Sequence, residues 1–416
     1  MAHRLLGPAL GLVGAGLLAS HASPAQETPT APETPVVANL SEAHLFDTEA
    51  FGPPLLFGAA VAIEGKTAFV GAPLYAPATG PLDDQGNPIT NGVVEVYESD
   101  ATGTTWTLTD SLQPVVPALN TFYGVTLAVS GDRLAVGSRT QIQLYEKRHG
   151  QWTPAETIPA AAPASMVFVG STLVYSASGV YVYEIGDRCK PRLVQTLEPL
   201  PSDTGMYGNE IALKGDLLVV GSPGGATPGQ AYVYSREGLR WHLEQLLQSP
   251  TGAANSEFGS GVGISHHSII VGAPNENIVS DGFFTTAGGE AYVFRKSHGV
   301  WSETQEFQPG PGDNLRSLEG YNGFGTLIAT ADGRVALSAP GADDVFEAFF
   351  GPTIIYRWEG DTLVFDGVGT TGNSLAASHN HIVIGTSYDG RSGFVEGAEV
   401  LTYPRKGAAS SSDSDD

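Results

Sequence analysis

One offset recurs seven times along this chain of 416 residues. An aromatic residue followed by glycine opens a short apolar stretch. Fourteen positions after the aromatic stands the first residue of a Gly-Ala-Pro triplet or a close variant. Phe57 to Gly71, Tyr123 to Gly137, Tyr207 to Gly221, Phe258 to Gly272 and Phe324 to Ser338 keep both the offset and the aromatic head. Thr371 to Gly385 keeps the offset with the aromatic lost, and Ala162 to Ser176 keeps it with both ends eroded. Between the two landmarks the pattern reads strand, tight turn, strand, as in 59–63, Glu64-Gly65-Lys66 and 67–70.

A third strand follows in each copy, such as Val93-Val94-Glu95-Val96-Tyr97 or Ala291-Tyr292-Val293-Phe294. A fourth opens on tryptophan in several copies, at Trp106, Trp152, Trp241 and Trp301. Alternation of β-branched and aromatic residues with smaller ones is the strand signature. Four short strands per repeat cannot bury their faces alone, and seven such units closing on one another predict an all-β, seven-bladed propeller of four-stranded antiparallel blades. Repeat spacing varies between 39 and 66 residues, mostly between the second and third strands. Loops 74–91 and 275–288 are the long ones, and variable loops on a fixed scaffold are where contact surfaces are built.

The seventh copy ends near Lys406 without a fourth strand. The segment from His44 to Glu49 precedes the first repeat and has no blade of its own. Pairing it with 399–403 predicts a ring closed by an N-terminal strand, which removes two open sheet edges. In this reading the propeller spans 40–406. Residues 26–39, rich in Pro and Thr, form a disordered linker, and 407–416 form an acidic disordered tail.

Residues 1–25 read as a signal peptide: Arg4 supplies positive charge, 5–19 are apolar but broken by Pro8 and glycines, and small residues allow cleavage after Ala22 or Ala25. No other apolar stretch is long enough to span a bilayer. The expectation is an exported, monomeric protein, periplasmic or extracellular. Forty-four acids against twenty Lys and Arg give a net charge of −24. Such a surface repels nucleic acid and anionic membranes. The single cysteine, Cys189, excludes an internal disulfide framework. Arg188 and Lys190 beside it would lower its pKa, but no catalytic partner is near, so it reads as an incidental surface or half-buried thiol.

These repeats closely resemble FG-GAP repeats, the unit of the integrin α-subunit propeller and of many bacterial exported proteins. Phe57-Gly58 with Gly71-Ala72-Pro73, and Phe258-Gly259 with Gly272-Ala273-Pro274, carry the resemblance literally. It implies extracellular binding or adhesion. It also implies calcium loops of the form Asp-x-Asp-x-Asp-Gly-x-x-Asp between second and third strands. Here the corresponding loops depart from that spacing. Asp83, Asp84 and Asn87 in the first copy, Asn275, Asn277 and Asp281 in the fifth, and Asp343 and Asp344 in the sixth are the candidate calcium ligands. Each is an oxygen donor of the kind calcium takes, and each is equally a common turn former; ordinary turn chemistry is the preferred reading.

His266-His267 and His379-Asn380-His381 fall in register with the first hairpin tip, so they read as turns rather than metal ligands. No Gly-x-Ser-x-Gly, His-Glu-x-x-His or phosphate loop occurs. The expected function is a non-enzymatic binding scaffold for a protein or glycan. A lectin with one sugar pocket per blade, and a hydrolase or lyase with a channel site, are the alternatives.

Overall fold

Val, Ile and aromatic residues in alternation build strands of four to ten residues, each stopped by glycine, proline or a polar turn. The computed structural model describes residues 34–40, 56–75, 91–116, 121–224, 228–276, 288–308, 323–339, 352–387 and 397–403. The strands all lie in the compact unit of residues 33–416. Strand β1 is Val36–Leu40. Blade one is β2 (Ala60–Glu64), β3 (Thr67–Ala72), β4 (Val93–Ser99) and β5 (Trp106–Leu112). Blade two is β6 (Thr126–Ser130), β7 (Arg133–Gly137), β8 (Gln141–Arg148) and β9 (Gln151–Pro159). Blade three is β10 (Met166–Val169), β11 (Thr172–Ser176), β12 (Val180–Ile185) and β13 (Pro191–Leu197). Blade four is β14 (Ile211–Lys214), β15 (Leu217–Ser222), β16 (Gln230–Glu237) and β17 (Arg240–Gln248). Blade five is β18 (Val262–Ser265), β19 (Ser268–Ala273), β20 (Glu290–Ser297) and β21 (Val300–Phe307). Blade six is β22 (Ile328–Ala331), β23 (Arg334–Ser338), β24 (Pro352–Glu359) and β25 (Thr362–Thr371). Blade seven is β26 (Ser374–Ser378), β27 (His381–Thr386) and β28 (Gly397–Thr402), completed by β1.

Each sheet is antiparallel and four-stranded, and the innermost strands neighbour one another in the order β2, β6, β10, β14, β18, β22, β26 and back to β2. That cycle is the seven-bladed ring expected from the repeat. The helical content of the described residues is one 3-10 turn, Asp187–Cys189.

The FG-GAP-like landmarks form the joint between blades. Within a blade, the N–H of Gly58 donates to Gly71 O, Gly259 to Gly272 O and Gly325 to Ser338 O, each at 2.9 Å. Gly58, Gly124, Gly208, Gly259 and Gly325 have φ between 88° and 95°, a region that disfavours any residue with a Cβ. Gly58, Gly124, Gly259 and Gly325 then lay their carbonyls on the preceding blade. A Cβ on Gly71 would overlap Gly124 O, one on Gly221 would overlap Gly259 O, and one on Gly272 would overlap Gly325 O. Gly385 meets Gly58 O in the same way and so joins blade seven to blade one. The aromatic heads wedge alongside: Phe57, Phe258 and Phe324 are fully buried, each among residues of two adjacent blades. In the eroded copies the joint is one residue shorter, with Ala164 N–H on Ser176 O and Asn373 N–H on Gly385 O.

A second joint lies at the periphery. The side-chain amide of Gln195 in β13 donates to Trp241 O and accepts from Trp241 N–H, both at 2.9 Å. Gln245 in β17 does the same to Trp301 at 2.7 and 2.9 Å, and Gln305 in β21 to Leu363 at 2.9 and 2.9 Å. Each glutamine sits beside a register shift in its outer strand, and the bulge turns it toward the next blade.

The N-terminal closure uses a different segment from the one expected. Val36–Leu40 pairs antiparallel with β28, from Val36 opposite Thr402 to Leu40 opposite Ala398. It occupies the edge assigned above to His44–Glu49, which lie outside the described residues, and it takes 36–39 out of the expected linker. Pro35 directly before it suits an edge strand, where a missing N–H costs nothing. Leu40 is buried with Phe57, Ala398 and Val400.

Two comparisons test these joints. Gly272→Ala should lower unfolding free energy by about 3 kcal/mol or more in a denaturant titration, because the new methyl has no room. Gly367→Ala, at a β25 position with open space around its Cα, should stay within about 0.5 kcal/mol. Leu40→Ala should cost about 2–4 kcal/mol, whereas Val37→Ala, at a side chain 53% exposed, should cost under about 1. Equal costs for Leu40 and Val37 would mean β1 does not seal the ring.

Candidate functional site

Antiparallel pairing divides the connections between two faces. Turns from the first to the second strand and from the third to the fourth lie on one side, here the hairpin face. Links from second to third strands and from blade to blade lie on the other, the loop face. The hairpin tips are tight turns: Gly65, Gly131 and Gly215 have φ of 57–59°, and His266, His267 and His379 also have positive φ. The tip reading of those three histidines holds. His381 differs: it is the first residue of β27, buried, with Nδ1 3.0 Å from Thr402 Oγ1.

The inner strands of all seven blades enclose a central cavity of about 410 Å3. Its wall is apolar and small, including Val61, Ile63, Leu127, Val129, Ala212 and Ile264. Glu64, Lys214, Asp332 and His379 line it only at the hairpin-face end.

On the loop face of blade five, two carboxylates are buried at the base of the 277–287 segment. Glu276 follows the Gly-Ala-Pro stop by two residues and is 1% exposed; Glu290 opens β20 and is 0% exposed. Ser249 Oγ donates to Glu276 at 2.9 Å, with Thr251 Oγ1 beside it. Tyr292 Oη and Gln308 Nε2 donate to Glu290. Burial raises the Glu276 pKa, and the neighbouring Glu290 charge adds to it against the hydrogen bonds from Ser249 and Tyr292. The pair was missed from sequence because each looks like a polar strand end. For Glu290 the signal was an acid at the repeat position that other copies fill with Val93 or Gln230.

Blade four places one acid differently. Asp203 accepts from Tyr232 Oη at 2.7 Å, Ser222 Oγ at 2.8 Å and the Gly205 N–H at 2.8 Å. Burial alone would raise its pKa; these donors hold it below the ordinary value. Nearby Glu210 lies between blades three and four, where Ser165 Oγ meets its carboxyl at 3.3 Å. Burial lifts Glu210 from 4.5 to about 7.

Of the candidate calcium ligands, Asn275 is described; Asp83, Asp84, Asn87, Asn277, Asp281, Asp343 and Asp344 lie outside the described residues. The Asn275 N–H donates to Ser256 O at 3.1 Å, and its side chain bonds Glu257. Among the described residues no group of three or more His, Cys, Asp and Glu is placed to hold a metal. The nearest carboxylates, Glu276 and Glu290, are engaged by hydroxyl and amide donors. Cys189 is buried, not at the surface, and burial raises its pKa, with Glu146 adding to the rise against Arg133 and Arg148. The lowering expected from its neighbours in sequence is outweighed by desolvation.

The family model for the FG-GAP repeat matches residues 241–294, from the outer strand of blade four through the third strand of blade five. The seven-bladed propeller thus carries an FG-GAP repeat. Among solved structures it is similar to a protein from Lactobacillus plantarum determined by a structural genomics consortium. That protein is 13% identical, with a TM-score of 0.50 over 82% of this chain and 95% of the other. At that identity the likeness shows the fold alone. A search of curated proteins finds no match. No helix among the described residues is long and apolar enough to cross a membrane.

The propeller's enclosed acids make its stability depend on pH. Between pH 4.5 and about 7, folded Glu210 holds a proton that the unfolded chain has released. Its neutral form therefore favours folding at low pH, and that contribution is lost as pH rises through about 7. Burial pushes Glu276, Glu257 and Glu399 in the same direction. Glu210→Gln should stabilise the protein by about 2 kcal/mol at pH 8 and leave it unchanged near pH 4, in denaturant titrations across that range. A gain that is equal at both ends would show that Glu210 does not titrate with folding.

Proposed function

We propose that this FG-GAP propeller is an exported, non-enzymatic binding scaffold that engages a protein or glycan ligand with its loop face. One observation carries the reading: the hairpin face is closed by short turns, while the long connections of variable length leave from the opposite face. The ring fixes the ends of those connections, so their sequences can vary without cost to the core. The apolar wall of the central cavity supports a scaffold over a channel enzyme, since acid–base or nucleophilic chemistry needs ionisable groups converging on one point.

The test is a screen of the mature full chain against glycan arrays and immobilised matrix proteins, with and without calcium. A second protein, with residues 78–88 and 278–286 replaced by short Gly-Ser links, is screened in parallel. The shortened protein should keep its melting temperature to within about 3 °C and lose at least about tenfold in affinity for any ligand found. Unchanged binding by the shortened protein would reject the loop face as the contact surface.

A further inference from the structure

One hairpin turn departs from the repeat without serving the seam of the ring. Blades two, four, five and six join third strand to fourth through two residues: His149-Gly150, Gly238-Leu239, His298-Gly299 and Gly360-Asp361. Blade one has a longer turn, 100–105, and it works at the seam, where Gly103 O accepts from Thr402 Oγ1 at 2.8 Å. Blade three has five residues, Gly186 to Lys190, around the 3-10 turn. Cys189 anchors them: its thiol is buried among blade-two residues and donates to Tyr145 O at 3.6 Å. Arg133 Nη1 donates to Ile185 O at 2.8 Å, and the Gly186 N–H to Lys190 O at 2.9 Å. Arg188 and Cys189 both have φ of 55°, a left-handed pair that neither residue type favours. The turn is held in one shape, and backbone strain of this kind collects at sites where shape is used.

Burial explains Cys189 but not the charges around it. Among the described residues are fifteen Lys and Arg, and seven of them hold an ion pair. Five have no ion pair, side-chain hydrogen bond or aromatic ring among the described residues: Arg188, Lys190, Arg192, Lys214 and Arg240. Three of these five fall within five positions of one turn, and all three are exposed. Glu184 and Asp187 stand among them, also without a side-chain partner among the described residues. With Gly186 and Pro191, these five charged side chains line an open concavity of about 610 Å3 on blade three. Small-molecule sites fall in the range of about 300–1,000 Å3.

The mixture of signs names the ligand. A guanidinium fork takes a sulfate or a carboxylate through two parallel hydrogen bonds, and Lys190 adds a point charge. A bare oxyanion would also meet Glu184 and Asp187, which repel it. A sugar that carries the anion brings hydroxyls as well, and hydroxyls donate to carboxylates. The net charge of −24 opposes a long polyanion, whereas a short saccharide needs only the local field. We propose that the blade-three turn binds an anionic saccharide, with its sulfate or carboxylate groups on Arg188, Lys190 and Arg192 and its hydroxyls on Glu184 and Asp187. The site lies at the hairpin-face end of blade three, apart from the loop face, and goes beyond the scaffold reading. Lys190 and Pro191 at the head of an outer strand also guard its edge, but a guard needs charge and not a concavity.

The probes are three disaccharides titrated calorimetrically into the mature full chain: a sulfated one, an unsulfated one containing a hexuronate, and a neutral one. The sulfated or the hexuronate probe should bind, and whichever does identifies the anion. The neutral probe should bind at least about tenfold more weakly. Lys190→Gln with Arg192→Gln should weaken the anionic probe at least about tenfold. Lys214→Gln with Arg240→Gln, which removes the same charge from blade four, should weaken it less than about twofold. Glu184→Ala should weaken it by about threefold, although it makes the turn more positive. Three results would each overturn the proposal: no binding of either anionic probe, equal losses from the two cation pairs, or tighter binding by Glu184→Ala. The first two leave only solvated charge on the turn, and the third leaves a site for a bare oxyanion. The protein with shortened loops should bind the anionic probe unchanged. Loss of its array ligand there leaves this site standing, and failure of the disaccharides leaves the loop-face reading to its own test.

Discussion

The ring depends on backbone meeting backbone without side chains between. Where Gly124, Gly259, Gly325 and Gly58 lay their carbonyls on Gly71, Gly221, Gly272 and Gly385, adjacent blades come closer than any Cβ would allow. That closeness sets the pitch from blade to blade, and the aromatic wedges fill the space beside it. The repeat is thus less a description of one blade than of a joint. Its first half belongs to one blade, and the glycine it touches belongs to the blade before. This is why the landmarks persist while the segments between second and third strands change length: a loop can grow freely, but a joint that grows by one methyl has nowhere to put it.

The same logic decides how much could be read from the sequence. Blade number, strand count and the tip placement of His266, His267 and His379 follow from a pattern that recurs in phase, and recurrence is what a sequence displays best. The closing strand occurs once. Val36–Leu40 has no second copy to align with, and its prolines and threonine neighbours give it the composition of a linker. The glutamine joints at 195, 245 and 305 were illegible for another reason. A bulge shifts each one out of the alternating register by which its direction would be judged. The Glu276–Glu290 pair stayed hidden because its partners, Ser249, Thr251 and Gln308, come from other strands and loops. Cys189 was misplaced because flanking charge is visible in sequence and burial is not.

The two faces solve opposite problems with the same residue types. On the hairpin face, cations and acids lie together at short turns and several pair, while Lys147, Arg236 and Lys296 lie over tryptophan rings of outer strands and Arg295 over Trp358 in β24. That face is geometrically fixed. On the loop face Asp203 is met by hydroxyls and a backbone N–H that favour its carboxylate, whereas burial favours the neutral form of Glu276 and Glu210.

The glutamine joints also bear on how such a molecule keeps to itself. Every blade ends in an outer strand whose N–H and C=O groups point away from the ring, and a bare edge of that kind recruits strands from other molecules. Gln195, Gln245 and Gln305 each offer their neighbour a side-chain amide in place of a peptide, occupying the outward N–H and C=O of Trp241, Trp301 and Leu363. An incoming strand would have to displace that amide to begin its ladder. The contact that fastens one blade to the next is, for a crowded solution of identical propellers, a stopper on the surface where fibres would start.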